Sequence, residues 1–312
     1  MNRHDDRSLL PLVGNTPLVE LARMSPKPGV RIFAKLEGGN PSGSIKDRIA
    51  AALVDSAERR GLLKPGDTIV EASTGNTAIA LAMVARQKGY RLVVVVPEGV
   101  VPSIHDILDL YDVEVESVKP ESGLVGAMRR ALELGEQDGW HCTRQFDNPL
   151  NVATHYDTTG RELCEQLPQV DAFVAGIGTG GTLMGVGRRL RRANPDVKLV
   201  GVEPRLGEYL QGIRSMADQF RPPLVDLDLL DMRYLVRSAD ALLMMRRVVR
   251  EEGVLVGVSG GACLYGAMRY AERLERGNIV VMFCDGGWKY LPARPWEDAL
   301  ADHQCLDDVH WW

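Results

Sequence analysis

Short apolar runs rich in β-branched residues alternate along this chain with segments of helical spacing. "RIFAKLE", "DTIVEAS", "RLVVVVP", "VEVESV", "AFVAGIG", "VKLVGVEP" and "NIVVMFCDGG" read as strands, several of them apolar on both faces. Between them "IKDRIAAALVDSAERRGL", "NTAIALAMVARQKGY", "ESGLVGAMRRALELGEQDG", "TLMGVGRRLRRANP" and "GACLYGAMRYAERLERG" carry helical spacing, most ending in Gly or Asn. This βα alternation dictates an α/β fold with a mostly parallel sheet covered by helices. At 312 residues the chain exceeds one typical domain, so one large α/β unit or two lobes sharing a cleft are expected.

Composition removes several functions. With 25% charged residues and a net charge of −5, the chain lacks the basic excess of a nucleic-acid binder. Cys142, Cys164, Cys263, Cys284 and Cys305 are odd in number, widely spaced and free of a C-x-x-C pair. That argues against a disulfide framework or a zinc ribbon, so no metal is expected and a reducing cytoplasm fits. No segment offers about 18 uninterrupted apolar residues, and the N-terminus has no long apolar core, so neither membrane insertion nor secretion is expected.

In parallel sheets ligands bind beyond the carboxyl ends of strands, and the glycine-rich stretches of this chain lie there. "GIGTGGT", Gly176 to Thr182, follows an apolar strand and opens a helix. Backbone N–H groups and the positive end of the helix dipole suit a phosphate, with Thr179 and Thr182 adding hydroxyl donors. The same residues offer a rival reading. Gly176, Gly178 and Gly181 spell G-x-G-x-x-G, with Glu203 at the end of the next strand, the pattern of an NAD-dependent oxidoreductase. "EASTGNTAIALA" is a second such loop, in which Ser73, Thr74, Asn76 and Thr77 set hydroxyls and an amide at a helix N-terminus, either to cap the helix or to hold a carboxylate. Residues 204 to 232 are Gly- and Pro-punctuated with weak periodicity, as in a loop that covers a site.

"NPSGSIKDRIA" places Lys46 at the entrance of an apolar helix, where the dipole disfavours a cation. An amine beside positive helix ends has a depressed pKa and is nucleophilic toward a carbonyl. Pyridoxal phosphate, an aldehyde that bears a phosphate, satisfies the lysine and the cradle together.

In their order and approximate spacing, "NPSGSIKDR", "STGNT", "GIGTGGT" and "VSGGA" resemble the cysteine synthase family, pyridoxal-phosphate enzymes of fold type II. The likeness runs from "GNTPLVEL" at Gly14 to "CDGGWKYL" at Cys284. It implies a two-lobed, tryptophan synthase β-like fold, with residues 1–40 and 151–312 forming the larger, phosphate-binding lobe and 41–150 the smaller mobile lobe. It also implies that Lys46 holds the cofactor as a Schiff base and acts as acid–base. Asn76 would contact the pyridine 3′-oxygen, and Gly178, Thr179, Gly180, Gly181 and Thr182 the phosphate. Ser259 would face the pyridine nitrogen, a hydroxyl partner that favours β-elimination over transamination; as a helix N-cap it is equally placed. Ser73, Thr74, Thr77 and Gln145 would hold the substrate carboxylate. A homodimer is implied.

A finer resemblance, carried by "GTLMGVGRRLR", "VEPRLGEYLQGIRSMADQF" and "GGWKYL", is to the cysteine synthase M branch, which uses O-phosphoserine and a thiocarboxylated sulfur carrier protein. It implies β-replacement on O-phospho-L-serine through an α-aminoacrylate to give L-cysteine. Arg214 would recognise the substrate phosphate, with Arg205 and Arg221 as neighbouring alternatives, and the C-terminal "DDVHWW", carrying Trp311 and Trp312, would enter the active site. Other readings are O-acetylserine with sulfide, an amine nucleophile giving a diaminopropionate-type product, and a weakly active cofactor-binding interaction protein. One departure from the family bears on the nucleophile: "VVPSIHDILDL" sets Ser103, Ile104 and His105 where relatives carry charged residues, altering a helix expected beside the substrate cleft.

Overall fold

The computed structural model describes residues 8–98, 102–218 and 220–293, with the side chains of 102–104 and 293 left aside. Two sheets organise it. The larger contains β1 (Leu18–Glu20), β2 (Val30–Leu36), β7 (Ala172–Gly176), β8 (Lys198–Pro204), β9 (Met232–Val236) and β10 (Gly277–Phe283), in the order β1-β2-β10-β7-β8-β9. Only β1 is antiparallel to its neighbour. The smaller contains β3 (Thr68–Ala72), β4 (Arg91–Pro97), β5 (Glu114–Val118) and β6 (Trp140–Cys142), ordered β5-β4-β3-β6 and wholly parallel. Central strands such as β3, every residue of which is buried, explain the continuous apolar runs.

The helices are α1 (Lys46–Arg59), α2 (Asn76–Lys88), α3 (Pro102–Leu110), α4 (Gly123–Gly135), α5 (Leu150–Asp157), α6 (Thr159–Gln166), α7 (Gly181–Ala193), α8 (Ser238–Glu252) and α9 (Val258–Ala271). Helix α2 is buried without interruption from Thr77 to Ala85. Its alanines let α1 and the smaller sheet approach closely, and Gly89 at φ +78° ends it in the left-handed conformation that a side chain disfavours.

Helix α1 belongs to both halves. Ile45, just ahead of it, packs in the core beneath the larger sheet with Phe173 and Val280, whereas Ala50, Val54 and Ala57 pack with α2. A buried charge network fixes its first turns. Arg48 reaches Glu37 at 2.7 Å and Glu162 of α6 at 2.6 Å, and Lys35 of β2 meets Glu162 at 2.7 Å. Two cations face two carboxylates, which is the condition under which buried charge is tolerated.

The structure adds elements that the periodicity does not reveal. Strand β6 is three residues long, and α5 and α6 are eight each, too short to repeat a pattern. Strand β9 and helix α8 follow the irregular stretch directly, and the half-exposed alternation of β9 is masked by it.

Candidate active site

The carboxyl ends of strands from both sheets face one cavity of about 260 Å³. Its lining includes Lys46, Ser73, Thr74, Asn76, Thr77, Gln145, Gly178, Thr179 and Arg214. The sequence-derived residues therefore converge, although up to 168 positions separate them. The stretch after β8 supplies Glu208 to Ser215 and Asp218, so the long loop does wall the site.

Lys46 is the first residue of α1, delivered there by the turn "NPSGS". Asp47 reaches back to accept from Ser42 N at 2.7 Å and from its hydroxyl, and Ile45 N donates to Cys284 O at 2.8 Å beyond β10. Among the described residues, no carboxylate stands within ion-pair distance of Lys46 Nζ. Burial pushes its pKa down, against the opposing influence of Cys284 and Asp285. The direction matches the sequence expectation, but the leading cause is desolvation rather than helix dipoles.

The loop after β3 turns into α2 with Gly75 as N-cap; Ser73 Oγ accepts from Ala78 N at 3.2 Å. Thr77 Oγ1 donates to Gln145 Oε1 at 2.6 Å, and Gln145 Nε2 donates to Ala72 O at 3.1 Å. Asn76 is engaged at both ends of its amide. Nδ2 donates to Asp285 Oδ2 at 2.8 Å, and Oδ1 accepts from Lys289. Lys289 and Asp285 form a buried ion pair at 2.7 Å, and Tyr290 donates to the same carboxylate oxygen. One Nδ2 hydrogen of Asn76 stays available toward the cavity. Lys289, Asp285 and Tyr290 were not singled out from sequence; "CDGGWKYL" carried their signal only as a family string.

Gly178 to Thr182 cross from β7 into the N-terminus of α7. A Cβ on Gly178 would stand 2.4 Å from Gly212 O, and one on Gly181 would stand 1.8 Å from Asn151 Oδ1. Only glycine lets this loop press on its neighbours. Asn151 Nδ2 donates to Thr179 Oγ1 at 3.1 Å, while its buried Oδ1 has no donor. Thr182 Oγ1 lies 3.3 Å from Nε2 of the buried His155. Gly180, Gly181, Thr182 and Ser259 adjoin the cavity rather than line it. Ser259 is the second residue of α9, whose N-cap is Gly257, so it is not the cap. Its Oγ is 4.0 Å from where a Gly212 Cβ would be.

Arg214 projects into the cavity between two aromatic rings, 5.6 Å from the centroid of Phe146 and 5.3 Å from that of Phe220. Burial lowers its pKa and the charge of Asp218 opposes that, but a guanidinium stays charged throughout. Among the described residues it makes no ion pair. Arg205 is exposed, and Arg221 donates to Met216 O at 2.7 Å; neither lines the cavity. Helix α3 also stands apart, since none of its described side chains, from His105 onward, lines it. Trp311 and Trp312 lie outside the described residues.

The dinucleotide reading loses its acidic residue. Glu203 is 2% exposed, and its carboxylate is taken by Met216 N and by Arg233 at 2.8 Å.

The model of the family described as "Pyridoxal-phosphate dependent enzyme" matches residues 9–285. The chain belongs to the pyridoxal-phosphate dependent enzymes. A cysteine synthase of Staphylococcus aureus (strain N315) is 39% identical over 290 residues, covering 90% of this chain and 94% of that one. Cysteine synthase B of Escherichia coli (strain K12) is 39% identical over 280 residues, covering 89% and 92%. A crystal structure of O-ureido-L-serine synthase superposes with a TM-score of 0.88 at 37% identity, covering 95% of this chain and 98% of that one. The protein is thus a cysteine synthase-like enzyme of fold type II, and pyridoxal phosphate is its cofactor. The residues present fit that group: an amine without a counter-ion, a loop stripped of side chains at a helix N-terminus, and a buried Asn151 oxygen still lacking a donor.

Proposed function

We propose that the enzyme exchanges the phosphate of O-phospho-L-serine for a sulfur nucleophile, giving L-cysteine. The observation that carries this reading is Arg214, a cation without an ion-pair partner among the described residues, held between Phe146 and Phe220 at the cavity wall. A guanidinium fork matches a phosphate, and the rings restrict its motion without consuming its donors.

Each part of the cavity has a task in this reaction. Bound pyridoxal phosphate supplies the aldehyde that captures the amino group and the electron sink that makes the α-proton removable. Gly178 to Thr182 would hold its phosphate at the α7 N-terminus, Asn76 its ring oxygen and Ser259 its ring nitrogen. Lys46 Nζ, whose neutral form burial favours, would anchor the cofactor, take the α-proton and return it to the same carbon. Ser73, Thr74, Thr77 and Gln145 would bind the substrate carboxylate. Arg214 would bind the phosphate and stabilise its charge as the bond to Cβ breaks. Residues 41–150 would act as the smaller lobe, closing to keep water from the cavity between the two half-reactions. The sulfur donor is read as a thiocarboxylated carrier protein or sulfide, and the assembly as a homodimer.

Arg214→Ala tests the reading directly. The expected result is a fall of about 30-fold in kcat/KM for O-phosphoserine, with O-acetylserine changed by less than about threefold. Equal losses on the two donors would remove the phosphate role and return the choice to O-acetylserine.

A further inference from the structure

Glu71 lies near the end of β3, 2% exposed, and no cation stands at ion-pair distance from it among the described residues. Three neutral donors meet its carboxylate instead. Thr143 Oγ1 donates at 2.6 Å and Gln145 N at 2.9 Å to one oxygen, and Ala72 N donates at 2.9 Å to the other. A carboxylate buried in this way is costly to keep, so what it holds in place is informative. It ties the backbone of Gln145 to the end of β3. From that position the Gln145 carboxamide bridges Ala72 O and Thr77 Oγ1.

We propose that Glu71 is a positioning residue for the amino-acid substrate, locking Gln145 to β3 so that Gln145, held also by the Thr77 hydroxyl it accepts from, presents its remaining Nε2 hydrogen to the substrate carboxylate. This rests on the reading above that these two residues hold that carboxylate, and it names what aligns them. The surroundings leave Glu71 uncompensated. Arg144 is spent on Asp147 at 2.6 Å, and Asp147 adds negative charge nearby. On β6 the Cys142 thiol is pushed far up, chiefly by burial, and so stays neutral; α4 offers only Met128, Ala131 and Leu132 to the small cavity beside Glu71. Burial pushes the Glu71 carboxyl up to about 7, against the three hydrogen bonds that favour its charged form. Protonation places a donor where three donors already converge, so the lock loosens as pH falls through that value.

The test uses the full-length enzyme loaded with pyridoxal phosphate, with O-phosphoserine and O-acetylserine as probes. Glu71→Gln should raise KM for the amino-acid donor about tenfold near pH 8 while kcat stays within about threefold, with the melting temperature and the bound-cofactor absorption retained. In the unaltered enzyme KM should rise severalfold from about pH 8 to about pH 6, and that rise should be missing from Glu71→Gln. Thr77→Val serves as reference. If Thr77→Val leaves KM unchanged, the carboxylate reading fails and takes this inference with it. If Thr77→Val raises KM and Glu71→Gln does not, or if Glu71→Gln lowers kcat and melting temperature with KM unmoved, the role of Glu71 alone is overturned. Should Glu71→Gln not fold, a KM of the unaltered enzyme that is flat from about pH 8 to about pH 6 is sufficient to overturn it.

Discussion

Glu162 and Glu71 are both buried carboxylates, one on helix α6 and one on strand β3, and the protein keeps them by opposite means. Around Glu162 burial would raise the pKa, yet hydrogen bonds from Arg48 and Lys35 outweigh it and hold the carboxyl at about 2. Glu71 has only neutral donors, and burial prevails, leaving it at about 7. The first arrangement stays charged at any pH the protein meets and serves as a fixed joint. The second, pushed up to about 7 by burial, stands two residues before Ser73 of the cavity wall, where the proposed lock would answer to proton activity. Charge balance, not burial, separates the two.

The largest blow to this contrast is Arg48→Ala. It strands Glu37 and Glu162 without a guanidinium and should cost about 4 kcal/mol in denaturant unfolding. A loss below about 1 kcal/mol would show that the network is no joint at all. Glu162→Gln should cost less, about 2 kcal/mol near neutral pH. Because its folded pKa lies below the ordinary carboxylate value of 4.5, that advantage is complete above about 4.5 and fades as pH falls toward 2. A deficit that persists unchanged down to about pH 2 would contradict the assignment. Glu71→Gln should have the smallest effect on stability, and of opposite trend. The folded pKa is raised, so the folded state binds the extra proton between 4.5 and about 7, and the stability of the unaltered protein relative to the variant declines across that window as pH rises. A relative stability that climbs there would reverse the sign and place a hidden cation beside Glu71.

How much of this was legible beforehand depends on the length over which a signal repeats. Strand β4 and helix α2 were written in continuous apolar runs, and "STGNT", "GIGTGGT" and Lys46 in local strings tied to strand ends. Long-range partnership was not legible. Glu71 meets Thr143 across 72 positions, Asn76 meets Lys289 across 213, and Glu162 meets Arg48 across 114, and no periodicity encodes which carboxylate finds a cation. The aromatic clasp on Arg214 escaped for the same reason, since Phe146 and Phe220 lie in different loops. The family resemblance sets helix α3 beside the cleft, whereas its Ile107 and Leu108 pack in the core with α2 and none of its described side chains lines the cavity.

Helix α1 shares its apolar residues between the cores of both sheets, and Lys46 stands at its first residue. Were the smaller sheet to move as the closing lobe proposed above, α1, packed on both sides, would be its axle, and a group near an axle sweeps the shortest arc. The loops proposed to bind the substrate would then ride on the rim, where a few degrees would open or shut the doorway, while Lys46 would hardly travel. Access and alignment, which compete in an enzyme whose nucleophile moves with its lid, would thereby fall to different radii of one lever.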